Sequence, residues 1–112
     1  MQIEYITNET EILLIINGEV DASSSIILDD EFSKAVGSGI KQILIDCTHL
    51  SYISSAGLGV FMAHIEDCEV SNVKFVLFGM SSKILSVFNM LGLDQLIPIT
   101  ATKEEALNHL NG

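Results

Sequence analysis

The most informative absence in the sequence is that of arginine. The 112 residues include five lysines, no arginine and fifteen acidic side chains, which gives a formal net charge of −10. Such a surface repels phosphate backbones and anionic lipids, and the chain lacks the side chain that holds a phosphate in a two-pronged grip. We therefore expect no nucleic-acid partner and no membrane partner, and a protein partner fits better.

Long apolar runs, proline and cysteine are also scarce. The longest wholly apolar run, Ile12 to Ile16, is far shorter than the roughly 20 residues that span a bilayer. Pro98 is the only proline, and Cys47 and Cys68 are too few to form a disulfide framework. The length suits one domain. We therefore expect a single cytoplasmic domain over residues 1–112 with two reduced thiols.

What the chain does have is apolar side chains in a pattern that alternates between strands and helices, and 48% of its residues are hydrophobic. The pattern predicts strands at 2–7, 11–17, 42–47, 73–78 and 96–99, and helices at 24–36, 55–67, 81–90 and 102–110. A short polar segment between the first two strands predicts an antiparallel hairpin. The continuous apolar strands at 43–45 and 75–78 are typical of strands covered on both faces. The sequence therefore predicts an α/β fold with a mixed sheet.

Helical spacing also predicts which side chains the helices bury. Stripes with a spacing of three or four residues run along three of the predicted helices: Leu28, Phe32 and Val36; Leu58, Met62 and Ile65; Ile84, Phe88 and Leu91. Met62, Met80 and Met90, together with Phe61, could mark an adaptable docking surface, because methionine is flexible. The spacing favours the core for most of them.

The most unusual segment is the start of the second predicted helix, Ser54-Ser55-Ala56-Gly57-Leu58-Gly59. Serine is a favoured N-cap, which explains one serine but not two. The small residues that follow leave the first turn with little bulk. A helix N-terminus tolerates phosphate well, and with no arginine nearby a phosphate on serine would stay exposed to a partner. The segment therefore predicts a switch of binding, not of fold.

Three stretches of the chain resemble a known family in order. A strand ending in an acidic residue, an aromatic loop and a small-residue helix start appear as Leu44-Ile45-Asp46, Ser51-Tyr52-Ile53 and Ser54-Ser55-Ala56-Gly57-Leu58-Gly59. A second element appears as Gly18-Glu19-Val20-Asp21, and residues 82–93 resemble the penultimate helix and loop. Together they are similar to the STAS domain of the anti-sigma factor antagonist family. The resemblance implies a STAS-like fold with a mixed four- to five-stranded sheet and about four helices.

The resemblance also implies partners and site residues. Family members bind an anti-sigma factor that is a GHKL-type serine kinase, which phosphorylates them with ATP, and a PP2C-type phosphatase reverses the reaction. The phosphorylated serine of the family falls on Ser55. The partner-binding residues implied by the resemblance are Asp21, Tyr52, Ser54, Ala56, Gly57 and Leu58. The chain departs from the family at Ser54, where aspartate is usual, and this makes Ser54 a second candidate acceptor.

Four other functions can be weighed against a phosphorylation switch: a scaffold, a metal site, a hydrolase and a nucleotide-binding site. A different class would be a constitutive STAS scaffold in a transport or signalling assembly, with Ser55 as a cap only. His64 and Cys68 lie four residues apart and could chelate a metal, but no zinc spacing matches, and we expect an exposed histidine and a half-buried cysteine. No Gly-x-Ser-x-Gly elbow surrounds Ser55, and Gly57-Leu58-Gly59 falls short of both nucleotide fingerprints. We therefore expect a binding protein with no cofactor, not an enzyme.

Overall fold

The sheet at the centre of the structure has five strands, and four α-helices surround it. The structure is a computed structural model and describes all residues, 1–112. Its strands are β1 (Gln2–Thr7), β2 (Ile12–Val20), β3 (Gln42–Ile53), β4 (Lys74–Phe78) and β5 (Ile99–Thr100). Its helices are α1 (Ser25–Val36), α2 (Ser55–Val70), α3 (Ser82–Met90) and α4 (Lys103–Asn111). The predicted α/β class, with a mixed sheet of four to five strands and about four helices, is confirmed.

The strands lie side by side in chain order, from β1 to β5. β1 pairs antiparallel with β2, and every later neighbour is parallel. The side chain of Asn8 stabilises the turn between β1 and β2. Its Oδ1 accepts hydrogen bonds from the backbone N–H groups of Thr10 at 2.8 Å and Glu11 at 2.9 Å. The predicted antiparallel hairpin is confirmed.

The two faces of the sheet are covered unequally. Alternate residues of the central strands, such as Ile43 and Ile45, join the larger core beneath α1, α2 and α3. Their neighbour Leu44 faces the other side, where it packs with Ala106 and Leu110 of α4. Three connecting helices thus share one face, and α4 alone covers part of the other. None of the helices has both the length and the apolar character that crossing a bilayer requires.

Three strand predictions differ from the structure. β2 does not end at Asn17 but continues to Val20. β3 does not end at Cys47 but continues to Ile53, because its second half pairs with the end of β2, where Val20 lies opposite Ile53. β5 is Ile99–Thr100 and starts later than the predicted residue 96, because the N–H groups of Leu96 and Ile97 donate back to the carbonyl oxygen of Leu93 in the preceding 3₁₀ turn, Leu93–Gln95. The extension of β3 is the difference that matters for function, because it carries the start of α2 to the end of β2.

The prediction of core positions for Phe61, Met62, Met80 and Met90 is wrong for Met62 and Met90, whereas Met80 is partly buried and packs against the larger core. Met62 is 48% exposed and Met90 is 83% exposed. Phe61 lies next to Met62 on α2, and its side chain is fully buried in the larger core. Of the predicted stripe of α2, Leu58 is buried and Ile65 packs against the core, but Phe61 takes the place of Met62, which faces solvent.

Candidate functional site

The candidate site lies where the parallel strands β2 and β3 end together. Val20 and Ile53 are partners in the last register pair of the two strands. The backbone N–H of Ser54 donates to the carbonyl oxygen of Val20 at 2.8 Å. Asp21 and Ser54, the residues that follow β2 and β3, therefore lie side by side at the carboxyl ends of these two strands. The structure thus brings together the two segments that sequence similarity singled out.

Ser54 is the N-cap of α2. Its backbone is extended, and its Oγ accepts a hydrogen bond from the N–H of Gly57 at 3.2 Å. Its carbonyl oxygen accepts from the N–H of Leu58 at 3.0 Å. Ser54 is only partly exposed. Serine and aspartate are both good N-caps, so a serine can hold the helix start here in place of the aspartate usual in the family.

Ser55 is the first residue of α2, and its environment is different. Its side chain is exposed and takes part in no hydrogen bond. The first turn of an α-helix leaves its N–H groups without intrahelical partners, and the helix dipole places partial positive charge there. The hydroxyl of Ser55 is therefore free to react, at a point on the surface that favours an added negative charge.

Gly57 allows the first turn of α2 to lie against the strand ends. A Cβ atom at this position would come within 2.8 Å of both Val20 Cγ1 and Ile53 Cγ1. Leu58 follows and is buried in the larger core, whereas Ala56 is exposed. The small-residue segment thus has a packing role at Gly57 and leaves an open surface at Ser55 and Ala56.

Asp21 begins the loop into α1 and is held by serines. Its Oδ1 accepts from Ser23 Oγ at 2.8 Å, from the Ser24 N–H at 2.8 Å and from Ser24 Oγ at 3.0 Å. These bonds, that from the Ser24 backbone first, lower the pKa of Asp21 from its ordinary 3.8 to about 2. The carboxylate is therefore charged at neutral pH and fixed in position beside the site.

Exposed apolar side chains flank the site. Tyr52, near the end of β3, is 45% exposed. Ile26 and Ile27 in the first turns of α1, and Met62 on α2, are also exposed. The sequence prediction named Tyr52 as partner-binding and Met62 as a possible docking residue, but it missed Ile26 and Ile27, which lie outside the buried stripe of α1. A contact surface for a protein needs such side chains to lie in one patch, since single exposed apolar groups are common on any protein.

The expected environments of His64 and Cys68 are wrong. Both side chains are buried between α2 and its neighbours, and His64 contacts an aspartate of α1. No group of three or more histidine, cysteine, aspartate or glutamate side chains is arranged to hold a metal. His64 therefore packs inside the layer of helices, against α1, and is not part of the candidate site.

Comparisons with known proteins give one consistent result. The family model of the STAS domain matches residues 2–106. An anti-sigma-B factor antagonist of Listeria monocytogenes is 31% identical, over 82% of this chain and 81% of its own length. A crystal structure of an anti-sigma factor antagonist from Mycobacterium paratuberculosis has a TM-score of 0.89 at 18% identity, covering 99% of this chain and 94% of its own.

A third similarity concerns a phosphorylated protein. The structure of the Bacillus cell fate determinant SpoIIAA in its phosphorylated form has a TM-score of 0.72 at 22% identity, covering 97% of this chain and 99% of its own. At such identities the solved structures establish the fold alone. The family model and the Listeria relative establish the family.

Proposed function

The chain belongs to the STAS domain family, alongside anti-sigma factor antagonists, and on that premise we propose that it is itself such an antagonist, switched by phosphorylation of Ser55. The unphosphorylated chain binds an anti-sigma factor, a serine kinase of the GHKL type, and draws it away from its sigma factor. Phosphorylation ends the binding, and a PP2C-type phosphatase restores it. The chain acts in the cytoplasm as a ligand and a substrate, not as an enzyme.

The observation that carries this proposal is the contrast between two adjacent serines. Ser54 Oγ accepts a hydrogen bond from the first turn of α2, whereas the exposed Ser55 hydroxyl has no partner. Phosphoryl transfer needs a hydroxyl that can align with the γ-phosphate of ATP. Ser55 can meet that requirement without any loss of helix capping, so it is the better acceptor of the two.

The chemistry is a single phosphoryl transfer. Ser55 Oγ attacks the γ-phosphorus of ATP, the bond to the β,γ-bridging oxygen breaks, and ADP leaves while a base of the kinase takes the hydroxyl proton. This chain supplies only the hydroxyl and its position. Exposed Tyr52 and the surface of α2 supply contacts that hold the kinase against it.

The effect of the phosphate is electrostatic. It adds about −1.5 to −2 charge at pH 7, in a chain whose formal charge is already −10. The N-terminus of α2 accommodates that charge, so the domain stays folded. Asp21 is charged and held in place at the end of β2, next to the start of α2, so it adds to the negative potential there. A partner surface that fits the neutral hydroxyl is therefore repelled after phosphorylation.

The proposal is tested by phosphate mapping. The chain and its Ser55→Ala and Ser54→Ala variants are incubated with the kinase and ATP, and the products are analysed by mass spectrometry. We expect one phosphate on Ser55 in the unmodified chain and in Ser54→Ala, and none in Ser55→Ala. Loss of the cap makes Ser54→Ala less stable by about 0.5–2 kcal/mol, so folding is checked by circular dichroism.

Two results would overturn the proposal in different ways. A phosphate on Ser54 that persists in Ser55→Ala would move the switch by one residue. A kinase that binds the chain firmly but phosphorylates no serine would favour a constitutive scaffold, in which Ser55 has only a structural place in the helix.

A further inference from the structure

The two edge strands of the sheet differ in length. β5, at one edge, has two residues, whereas β1, at the other edge, has six. An edge strand presents a row of backbone N–H and C=O groups without a neighbour, and proteins commonly protect such an edge with a very short strand, a proline, a lysine or a bulge. The edge at β5 is protected by its short length.

β1 has none of these protections. It contains no proline and no lysine, and its register with β2 runs from Gln2 opposite Asn17 to Thr7 opposite Ile12 without a bulge. No backbone hydrogen bond of β1 reaches a partner other than β2. The backbone groups that point away from β2 are therefore free to pair with a further strand.

The sheet face beside this edge is apolar and only partly covered. α4 lies over β3, β4 and β5, and Leu13 of β2 packs against the cluster beneath it. Ile6 of β1 lies opposite Leu13 on the same face, and Glu4 lies opposite Ile15. Ile6 is 49% exposed, and Leu13 and Ile15 are half-buried. A strand added to β1 would cover Ile6 with its own side chains, as neighbouring strands do within a sheet.

The charge around β1 indicates which kind of strand fits. Glu4 is the only charged side chain of β1, and no lysine, arginine or histidine precedes Lys34 in the sequence. Lys34 lies on the other face of the sheet, with its Nζ 4.2 Å from the centre of the Tyr5 ring. A second copy of this chain would bring a second net charge of −10 to this edge, whereas a basic segment would be attracted to it.

A groove continues the surface beyond the start of β1. Its volume is about 610 Å³, and its lining includes the apolar side chains of Met1 and Ile27 and the carboxylates of Glu19 and Asp21. A lysine or arginine in this groove could pack its apolar stem against Met1 and Ile27 while its charge meets the two carboxylates. The groove therefore fits a basic side chain carried by a strand on β1.

We propose that the free edge of β1 binds an extended segment of a partner protein that carries both basic and apolar side chains. The backbone of the segment pairs with β1, an apolar side chain covers Ile6, and a basic side chain enters the groove at Glu19 and Asp21. The contact needs neither a phosphate on Ser55 nor its hydroxyl. The chain would thus have a second protein-binding surface, separate from the start of α2.

A pair of capped peptides tests the proposal on the whole chain. The first, Lys-Thr-Val-Lys-Val-Thr-Lys, reads the same in both directions, so either strand direction places a lysine at the groove. The second replaces both valines with proline, which keeps the charge but interrupts the pairing of a strand. We expect the valine peptide to bind at least about tenfold more tightly in an NMR titration.

Hydrogen exchange locates the binding site. We expect the amides of β1 that point away from β2 to exchange at least about tenfold more slowly with the valine peptide bound, because they then donate to its backbone. Amides of β1 whose exchange is unchanged by the bound peptide, or equal binding of the two peptides, would overturn the proposal, since charge attraction alone would then explain the binding.

Two exposed apolar residues provide variants with the same change in charge. Ile6→Lys places a lysine on the edge strand and should weaken binding of the valine peptide at least about fivefold. Leu96 is 59% exposed and lies before β5, so Leu96→Lys should change the affinity less than about twofold. Circular dichroism checks that both variants fold.

A second matched pair tests the groove and does not alter β1. Glu19→Gln removes a carboxylate from the groove and should weaken binding at least about threefold, whereas Glu104→Gln removes an exposed carboxylate of α4 and should leave it unchanged. Equal affinity of the two variants within either pair would overturn the proposal. A dimer of the chain alone that Ile6→Lys abolishes would assign the edge to a second copy instead. None of these results bears on the mapping of phosphate to Ser55.

Discussion

At the start of α2, two adjacent residues of the same type have different surroundings. Ser54 is half-buried and bonded to the first turn, and Ser55 is exposed and unbonded. The difference comes from position alone, because the N-cap side chain folds back over the helix and that of the next residue does not. Sequence similarity could name Ser55 as an acceptor, but its free hydroxyl could only be seen in three dimensions.

Asp21 is a residue whose charge can be tested by pH. Its pKa of about 2 lies below its ordinary 3.8, so the folded state favours the ionised form. The resulting stabilisation is present at neutral pH and is lost as pH falls from about 4 towards 2. We expect Asp21→Asn to be less stable than the unmodified chain at neutral pH, and the difference to shrink to less than half as pH falls to about 2.5.

The measurement is urea unfolding of both proteins at about pH 7 and about pH 2.5. Asp30→Asn, which removes an exposed carboxylate without hydrogen bonds, serves as the control. A difference between the unmodified chain and Asp21→Asn that stays constant with pH would mean that the serines bind the side chain without favouring its charge.

At the scale of the elements, the length of β3 decides where the site lies. A strand that ended at Cys47, as predicted, would leave a loop before α2 with no fixed place. The actual strand continues to Ile53, because its polar second half pairs with the end of β2. The prediction missed it because Thr48, His49, Ser51 and Tyr52 are exposed and break the apolar pattern. Pairing with a neighbouring strand outweighed local pattern.

The contact between α2 and the strand ends predicts opposite effects for two glycines of the same helix. Gly57→Ala should lower the free energy of unfolding by about 1–3 kcal/mol, because its methyl group would overlap the branched side chains Val20 and Ile53. Gly59→Ala meets nothing within 4 Å and should raise stability by about 0.5–1 kcal/mol through helix propensity.

Urea unfolding of the two variants, in parallel with the unmodified chain, measures both effects. The paired design separates packing from propensity, since both substitutions add the same methyl group to one helix. Equal stabilisation by the two would show that α2 can move away from β2 and β3 at no cost, and the site would then lack the rigid support described here.

At the scale of the whole molecule, fold class could be predicted well, but the interior of the helical layer could not. Alternating strands and helices with clear apolar periods indicated the α/β sheet, which followed from local pattern. The burial of His64 between two carboxylates, and the exposure of Met62, depend on how α1 and α2 rotate against each other. Rotation about a helix axis is a tertiary property, so one-dimensional spacing missed it by a residue.

In the proposed switch, the net charge of −10 determines where the charge of a phosphate acts. With fifteen acidic side chains, no arginine and only His64 in salt-bridge contact, the chain holds few groups that could neutralise an added anion. We therefore expect a phosphate on Ser55 to change the binding of the partner and not the fold of the chain. The proposed switch needs no change in fold, which is consistent with an acceptor at the surface of a helix that is already capped.

The most direct test of this account is the affinity of the chain for its anti-sigma factor kinase before and after phosphorylation of Ser55, measured by isothermal titration calorimetry. We predict that phosphate on Ser55 weakens binding at least about tenfold, which corresponds to about 1.4 kcal/mol, while the circular dichroism spectrum stays the same. Equal affinity of the two forms for the kinase would contradict the account.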